Sequence, residues 1–292
     1  MSWRTVVISG NAKLDLNLGY MVVRKLDSVK KVFLDEISVV LIETTRASIT
    51  TALISEMTKR NIKIIFCDEK HNPETETVAT YGCHDNSLKI KQQLQWSECA
   101  KKSVWTEVVV EKIRQQAKHL EFLDKCGSAE MLNNYILEMQ YYDESNREGH
   151  AAKVYFNSLF GQEFNRSKDC VINTALNYGY GILLSIFSRE IIASGYLTQI
   201  GIFHSNMYNK YNLASDFMEP FRVLVDKVVV QNAFDKFEHA EKMIVLDFLN
   251  GYVRIGGQMN TVLNAIKIYC RSLLDAINEN DVSLIKFYSY DI

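Results

Sequence analysis

The chain has 292 residues, a formal net charge of −2, 47% hydrophobic residues and 23% charged residues. This composition excludes a disordered protein, and it excludes polyanion binding through net positive charge alone. The six cysteines contain no CxxC pair, which argues against a disulfide framework or a zinc knuckle and favours a reduced cytoplasmic protein. The opening residues, MSWRTVVISG, lack the basic and then apolar pattern of a signal peptide.

The first seventy residues have the short, Val- and Ile-rich runs that are typical of β-strands. Strands are predicted at 3–9, 21–25, 29–34, 37–43 and 62–67, with a helix at 48–60. This pattern indicates a small β-rich domain over residues 1–70 whose sheet needs a second sheet or another cover.

A polar stretch that contains Pro73 follows, and we predict a linker over residues 71–87. From residue 88 the hydrophobic period becomes helical. Helices are predicted at 88–113, 129–142, 147–159, 171–194, 213–237 and 258–278. The uncharged run 171–188 is too polar and slightly too short for a membrane span, so it indicates a buried helix. The predicted class is α+β, with a β-rich N-terminal domain and a larger, all-helical C-terminal domain over residues 88–292.

Two segments of the helical part carry an acid or a histidine that chemistry could use. Glu148 follows Ser145 and Asn146, either of which can cap a helix that starts there, so the acid also suits the helix dipole. His204 ends an apolar run, where it fits a hydrogen-bonded core histidine or a metal ligand. Each residue has an ordinary structural explanation, and neither alone indicates a site.

A third segment carries Asp216 and Glu219, which share one face if the segment is helical. Arg222 and Asp226 extend the same stripe as an i,i+4 pair. The flanking residues are apolar almost all round, which favours a buried helix whose acids need partners or a metal over surface ion-pair decoration. Pro220 has no amide hydrogen, so we predict a bend or a helix start close to Asp216.

Glu148, His204 and an acid of the third segment would form a mixed set of oxygen and imidazole ligands. Carboxylates suit Mg²⁺ and Mn²⁺, and one imidazole shifts the preference toward Mn²⁺. Such an ion stabilises charge on the attacking or leaving oxygen in phosphodiester transfer. The spacing leaves open whether the three segments meet.

Four motifs occur in a fixed order along the chain. They are Arg147-Glu148-Gly149-x-x-Ala152-x-x-Tyr155-Phe156, Asn173-x-x-x-Asn177-Tyr178-Gly179-Tyr180-x-Ile182-Leu183, Gly201-x-x-His204 and Leu213-Ala214-x-Asp216-x-Met218-Glu219-Pro220-Phe221-Arg222-x-x-x-Asp226. In this order they resemble the CRISPR spacer-acquisition integrase, the first CRISPR-associated protein, over essentially the whole chain. The start Ser2-Trp3-Arg4-Thr5-Val6 and the short length resemble the type II form of that family.

The resemblance implies a metal-dependent DNA endonuclease and integrase with a β-sandwich-like N-terminal domain. It implies that Glu148, His204 and Glu219 bind Mg²⁺ or Mn²⁺, with Asp216 as a further catalytic acid near the metal. A 3′-hydroxyl of captured DNA would then attack a phosphodiester of the CRISPR repeat. Glu219 stands where the family has either Asp or Glu, and its longer arm could alter the metal geometry.

Six further residues near these ligands are given two different roles, as support for the ligands or as contacts with DNA. Arg222, paired with Asp226, is interpreted as a brace behind the metal ligands. Candidates for contacts with the DNA backbone are Arg147, Lys153, Arg166 and Lys168. An ordinary solvated position explains each of these four basic residues at least as well.

The resemblance also implies binding partners. These are double-stranded DNA, a second copy of the chain joined through residues 1–70, and the second CRISPR-associated protein in a heterohexamer. A type II effector nuclease and a ring-shaped accessory protein would also take part, in a bacterial cytoplasm and without a membrane. Two alternatives remain open, namely a catalytically silent DNA-bridging scaffold and a repair nuclease for branched DNA.

Overall fold

The computed structural model describes residues 4–80 and 82–289, and it begins with two four-stranded sheets. The strands are β1 (Arg4–Ile8), β2 (Ala12–Asn17), β3 (Tyr20–Lys25), β4 (Ser28–Phe33), β5 (Ile37–Ile42), β6 (Ala47–Ile49), β7 (Lys63–Cys67) and β8 (Pro73–Glu76), with helix α1 (Thr51–Lys59) between β6 and β7. The first sheet has the order β1-β5-β7-β8, and the second has the order β4-β3-β2-β6.

The two sheets and α1 enclose one hydrophobic core. Leu14 and Met21 enter it from the second sheet, Val40 and Ile64 from the first sheet, and Leu53 from α1. Burial of alternate residues from two facing sheets is the packing of a β-sandwich. The expected β-sandwich-like N-terminal domain is therefore confirmed.

Strand β5 is buried at every one of its six residues. Val40 and Ile42 face the core of the sandwich, whereas Val39 and Leu41 face the core of the helical part. β5 pairs in parallel with both β1 and β7, and parallel strands that are covered on both faces have such continuous apolar runs. The first sheet therefore packs on one face against the core of the sandwich and on the other face against the core of the helical part.

The five predicted strands are all present, although residue 3 lies outside the described residues. Strands β2, β6 and β8 were not predicted. β8 falls inside the stretch predicted as a linker, and it pairs antiparallel with β7 at the edge of the first sheet. Pro73 is tolerated there because the first residue of an edge strand does not need its amide hydrogen.

The remaining residues are mostly helical. The helices are α2 (Asn86–Leu94), α3 (Glu98–Phe122), α4 (Cys126–Leu137), α5 (Arg147–Phe160), α6 (Val171–Ala193), α7 (Asn212–Phe217), α8 (Arg222–Asn232), α9 (His239–Leu246) and α10 (Val262–Glu279). Helix α6 is largely buried, as its uncharged run predicted. None of the helices within residues 4–80 and 82–289 is both long enough and apolar enough to span a bilayer.

The C-terminal part also contains a small antiparallel sheet, so it is not entirely helical. Its strands are β9 (Tyr252–Ile255), β10 (Gln258–Thr261) and β11 (Tyr288–Ser289), in the order β10-β9-β11. The helix predicted to begin at residue 258 begins at Val262 instead. Gly256 and Gly257, both with positive φ, turn the chain into a hairpin, and the Thr261 side chain then caps α10.

Two of the predicted helices are interrupted. The helix predicted over 88–113 is divided between α2 and α3, because the Ser97 hydroxyl caps a new helix by accepting a hydrogen bond from the Ala100 amide at 3.1 Å. The helix predicted over 213–237 ends at Phe217, passes through a 3₁₀ turn that contains Pro220, and restarts at Arg222. A bend or a helix start was predicted close to Asp216, but Asp216 lies inside α7, and the interruption comes after Phe217 at the turn that contains Pro220.

Polar contacts join the first sheet to the helical part. Lys63 of β7 and Glu76 of β8 form a buried ion pair, with 2.5 Å between Nζ and Oε1. Ser188 of α6 donates to the same Glu76 oxygen at 3.3 Å, and Arg189 donates to the carbonyl of Asn61 at 2.5 Å. Because these groups are out of water, each depends on the others for its hydrogen bonds.

A buried polar network ties four helices together behind the candidate site. The Tyr155 hydroxyl of α5 donates to Asp226 of α8 at 3.1 Å, and the Tyr180 hydroxyl of α6 donates to the other oxygen of Asp226. His119 of α3 lies 2.7 Å from the Tyr155 hydroxyl, which accepts from its Nδ1 because the hydroxyl proton is already donated to Asp226. This network fixes α3, α5 and α8, the helices that frame the site.

Replacing Glu76 by alanine is expected to destabilise the fold, because the Lys63 ammonium would remain buried without its counter-ion. Breaking one side of a buried ion pair typically lowers the free energy of unfolding by about 3–5 kcal/mol. Replacement of the exposed Glu74 of the same strand by alanine is the matched control. Urea unfolding of both variants measures the effect, and equal stabilities would contradict the structural role of Glu76.

The buried His119 is expected to make the fold sensitive to acid. Burial lowers the pKa of His119 to about 3, whereas a histidine in an unfolded chain titrates near about 6.5. Below pH 6.5 the unfolded chain therefore takes up a proton that the folded protein does not, and stability falls as the pH drops toward 3. Burial also raises the pKa of Asp226 to about 6, which acts in the opposite direction below pH 6 because there the folded state takes up the proton first.

The His119→Gln variant separates the two effects, since it keeps a polar partner for Tyr155. Between pH 7 and pH 5 the free energy of unfolding of the wild type should fall by about 2 kcal/mol more than that of the variant. Replacement of the exposed His84 by glutamine controls for the loss of a histidine as such. Parallel pH profiles for the wild type and His119→Gln would show that His119 does not remain neutral in the fold.

Candidate active site

Glu148 lies in the first turn of α5, held by the residues just before it. Asp143 accepts hydrogen bonds from the amides of Arg147 at 2.6 Å and of Glu148 at 3.1 Å. The prediction that Ser145 or Asn146 caps this helix was wrong. Asn146 adopts a left-handed φ of 52° and makes no side-chain cap, so the chain turns back and brings Asp143 to the open amides.

Lys112 of α3 joins Glu148 to Glu219. Its ammonium nitrogen lies 2.5 Å from Glu148 Oε1 and 2.5 Å from Glu219 Oε2. Lys112 is 8% exposed and Glu219 is 3% exposed, so the three charges interact with little screening by water. The carboxylates of Glu148 and Glu219, which are far apart in the sequence, therefore both contact the same ammonium group.

Glu219 lies on the 3₁₀ turn that Pro220 creates between α7 and α8. Its second oxygen, Oε1, pairs with Arg222 Nη2 at 3.0 Å. Burial alone would raise the pKa of Glu219, but the Arg222 guanidinium and the Lys112 ammonium outweigh it and lower that pKa to about 2. The Tyr288 hydroxyl of β11 donates to the Pro220 carbonyl at 2.9 Å and so fixes the turn from the other side.

Asp216 holds the loop that carries His204. Asp216 is fully buried, and one of its oxygens accepts from the amides of Ile202 at 2.7 Å and Phe203 at 3.1 Å. The other oxygen accepts from the His204 amide at 3.0 Å and is 2.5 Å from His204 Nδ1. A Cβ at Gly201 would come within 2.7 Å of the Asp216 carboxylate, so the close approach of this loop requires glycine.

This arrangement orients the imidazole of His204. The hydrogen bond to Asp216 raises the pKa of His204, while burial of the ring opposes the rise. With Nδ1 bonded to the carboxylate, Nε2 is the ring nitrogen left for another ligand, as in carboxylate–histidine–metal sites. Because all four of its hydrogen bonds go to the loop, we interpret Asp216 as a positioning residue.

The structure brings the predicted ligands together only in part. Glu148 and Glu219 meet through Lys112, and after the hydrogen bond to Asp216 their charges also act to raise the pKa of His204. Within residues 4–80 and 82–289, no three His, Cys, Asp or Glu side chains are close enough together to hold a metal ion. The two glutamates nevertheless fit a divalent cation, because they already surround one positive charge with carboxylate oxygens.

A cavity of about 210 Å³ opens beside these carboxylates. Its lining is Lys112, Gln116, Glu148, Phe156, Arg166, Tyr180, Glu219, Arg222 and Asp226. The guanidinium groups of Arg166 and Arg222 lie over the Tyr180 ring, at 5.4 and 4.7 Å from its centroid. The cavity therefore places two fixed cations next to the acidic pair, which suits a phosphodiester group.

Arg222 and Asp226 were predicted to pair with each other, but in the structure each has other partners. Arg222 pairs with Glu219, whereas Asp226 accepts from the hydroxyls of Tyr155 and Tyr180. The i,i+4 spacing of Arg222 and Asp226 therefore does not produce an ion pair here, because each group has a nearer partner on another turn or helix.

The four basic residues predicted to contact DNA lie in different settings. Arg166 lines the cavity and donates to the amide oxygens of Asn173 and Asn177. Arg147 pairs with Glu138 at 2.7 Å. Lys153 and Lys168 are exposed on the surface.

Lys112 is the residue at this site that the sequence analysis missed. It lies four residues after the buried Val108 and next to the buried Ile113, so the helical period places it on the inner face of α3. A lysine on an apolar helix face is itself a signal, because a buried ammonium requires carboxylates around it.

The family model described as "CRISPR associated protein Cas1" matches residues 5–246. The CRISPR-associated endonuclease Cas1 of Neisseria meningitidis serogroup C is 34% identical over 231 residues, which are 79% of this chain and 76% of that protein.

Two solved structures share the fold. A casposase bound to an integration product superposes with a TM-score of 0.76 and 17% identity over 96% of this chain and 92% of its own. A Cas6-RT-Cas1–Cas2 complex matches with a TM-score of 0.72 and 18% identity over 97% of this chain but only 36% of the longer chain compared. The family model and the meningococcal relative, on top of the shared fold, show that this chain belongs to the Cas1 family of CRISPR-associated proteins.

Proposed function

We propose that the protein is a divalent-metal-dependent DNA endonuclease and integrase that inserts captured DNA into a CRISPR array. The observation that carries the proposal is the convergence of Glu148 and Glu219 on one cationic position beside a cavity lined by Arg166 and Arg222. The family supports it, since the meningococcal relative is named an endonuclease and the casposase structure contains an integration product.

Glu148 and Glu219, which already converge, would hold the ion, Mg²⁺ or Mn²⁺, and Nε2 of His204 would be the third ligand that the family resemblance implies. When bound, the ion supplies Lewis-acid stabilisation of the charge that develops on the phosphodiester oxygens. The hydrogen bond from Nδ1 to Asp216 keeps the imidazole turned so that Nε2 remains available. Arg222 holds one oxygen of Glu219 and leaves the other oxygen facing Lys112 and the cavity.

The remaining residues of the site act on the DNA. Arg166 and Arg222 present guanidinium groups to the phosphodiester, and the neighbouring amides of Asn173 and Asn177 keep Arg166 in place. A 3′-hydroxyl of the captured fragment would give up its proton to solvent and attack a phosphorus of the repeat. A new P–O bond forms as the repeat's own P–O3′ bond breaks, and the leaving 3′-oxygen takes up a proton from solvent. With water as the nucleophile the same site acts as a nuclease.

The proposal also covers how the protein assembles with its partners. The sandwich formed by the N-terminal sheets joins two copies of the chain, and the dimers flank a second CRISPR-associated protein on double-stranded DNA. Complexes of Cas1 with Cas2 are among the structures that share this fold. A type II effector nuclease and a ring-shaped accessory protein complete the proposed set of partners.

Substitution of the proposed ligands is expected to abolish strand transfer. With Mn²⁺, the wild type should join a duplex with free 3′-hydroxyls to a plasmid that carries a CRISPR repeat. Glu148→Gln, Glu219→Gln and His204→Ala should each lower the rate by more than about 100-fold, and Asp216→Asn by about 10–100-fold because it only positions His204. Gel analysis of the joined products gives the rates, and EDTA should stop the reaction.

The exposed Glu144, four residues before Glu148, supplies the matched control as Glu144→Gln, which should react like the wild type. Full activity of His204→Ala would contradict the proposed ligand set. Activity that is absent from the wild type under all metal conditions would favour a silent DNA-bridging scaffold. Faster cleavage of branched DNA than joining to the repeat would favour a repair nuclease.

A further inference from the structure

The ammonium of Lys112 occupies the position toward which both glutamates point. It lies at 2.5 Å from each of them, and the side chains of Lys112 and Glu219 are themselves buried. Together with Arg222, Lys112 balances the charges of Glu148 and Glu219, two cations against two anions. A divalent ion that entered this balanced cluster would leave it with an excess of positive charge at short range, which is costly away from water.

We propose that Lys112 is a built-in counter-ion that competes with the divalent metal for Glu148 and Glu219, and that DNA relieves this competition. The inference rests on the proposed function, because it concerns the loading of that same site. In the protein without DNA, Lys112 keeps the two carboxylates converged and lowers their affinity for metal.

The Lys112 ammonium can move from the two glutamates into the neighbouring cavity, because it lines that cavity. Arg222 is tied to Glu219 and Arg166 to Asn173 and Asn177, whereas the contacts of the Lys112 ammonium are with the two glutamates. The lysine side chain has a flexible four-carbon stem, and the cavity of about 210 Å³ begins at its tip. A DNA phosphate in that cavity offers the ammonium a new anionic partner and so frees the glutamates for the metal.

The consequence is a positive coupling between DNA and metal. If a phosphate draws Lys112 away from the carboxylates, DNA raises the affinity for metal, and metal must raise the affinity for DNA by the same factor. The site would then be loaded chiefly when DNA is already present. Lys112 is a positioning residue in this scheme, because it acts through the two glutamates.

Calorimetric titration of the intact protein with Mn²⁺ tests the competition directly. Lys112→Met, which keeps an unbranched apolar stem, should bind Mn²⁺ about tenfold more tightly than the wild type in the absence of DNA. Lys118→Met, a partly exposed lysine on the same helix, is the matched control and should bind like the wild type.

Thermal unfolding supplies a second readout that does not depend on activity. Without metal, the Lys112→Met midpoint should fall on the order of 10 °C, because the buried Glu219 and the partly buried Glu148 lose their shared cation. Saturating Mn²⁺ should restore most of that loss, so the metal-induced shift should be larger in Lys112→Met than in the wild type. Lys112→Gln, which keeps a hydrogen-bond donor without the charge, replaces the methionine variant if the latter does not fold.

The coupling is measured by repeating the Mn²⁺ titration with a saturating DNA duplex. DNA should tighten Mn²⁺ binding to the wild type and to Lys118→Met, and this gain should shrink toward unity in Lys112→Met. An unchanged or weaker Mn²⁺ affinity in both Lys112 variants, with normal binding by the wild type, overturns the competition but leaves the proposed function intact. No Mn²⁺ binding by any of these proteins, with or without DNA, overturns both.

Discussion

Asp216, Glu219 and Asp226 belong to one short stretch of chain, and all three carboxylates lie almost completely out of water. An acid in such a position costs several kcal/mol of free energy unless donors or cations surround it. Each of the three is surrounded by a different part of the protein. Asp216 accepts hydrogen bonds from the amides of the His204 loop. Glu219 forms ion pairs with Lys112 and Arg222. Asp226 accepts hydrogen bonds from two tyrosine hydroxyls. The surrounding helices and the His204 loop must therefore pack so that each of these three carboxylates has its hydrogen bonds or ion pairs.

Pro220 makes it possible for neighbouring acids to have such different surroundings. On a regular helix Asp216 and Glu219 would share one face and compete for the same partners. The 3₁₀ turn separates them, so that Asp216 faces the His204 loop while Glu219 faces α3 and α5. Interruptions of this kind are a usual means of aiming a functional group out of a helix.

Local signals in the sequence predicted most of the fold, and contacts between distant segments account for most of what was missed. The Val- and Ile-rich runs of β1, β3, β5 and β7, the valines of β4 and the helical period of α5 and α6 are properties of neighbouring residues, and these elements were predicted correctly. β8 was missed because its sequence, PETE, is polar, and only its pairing with β7 makes it a strand. β10 was missed because its four residues run directly into the hydrophobic period of α10, although Gly256 and Gly257 just before it form the turn of a hairpin.

The candidate site shows the same division. The ordered motifs implied Glu148, His204 and Glu219 as the candidate ligands, but periodicity could not show which of them meet. The bridge through Lys112 depends on α3, which contains none of the four motifs. Asp226 likewise bonds to Tyr155 and Tyr180 instead of the predicted Arg222. The positions of these two tyrosines follow from helix packing and not from spacing along the chain.

The hydrogen bond from Tyr288 to the Pro220 carbonyl has a consequence for the order of folding. Its two residues are 68 positions apart, and Tyr155 is 71 positions from its partner Asp226. Contacts that close such long loops form late, since the chain must first lose the corresponding conformational entropy. The turn that carries Glu219 is therefore expected to settle after the individual helices have formed. A nascent or partly folded chain would then lack an organised acidic pair, and any ability to cut DNA would arise only once the far end of the described chain has docked.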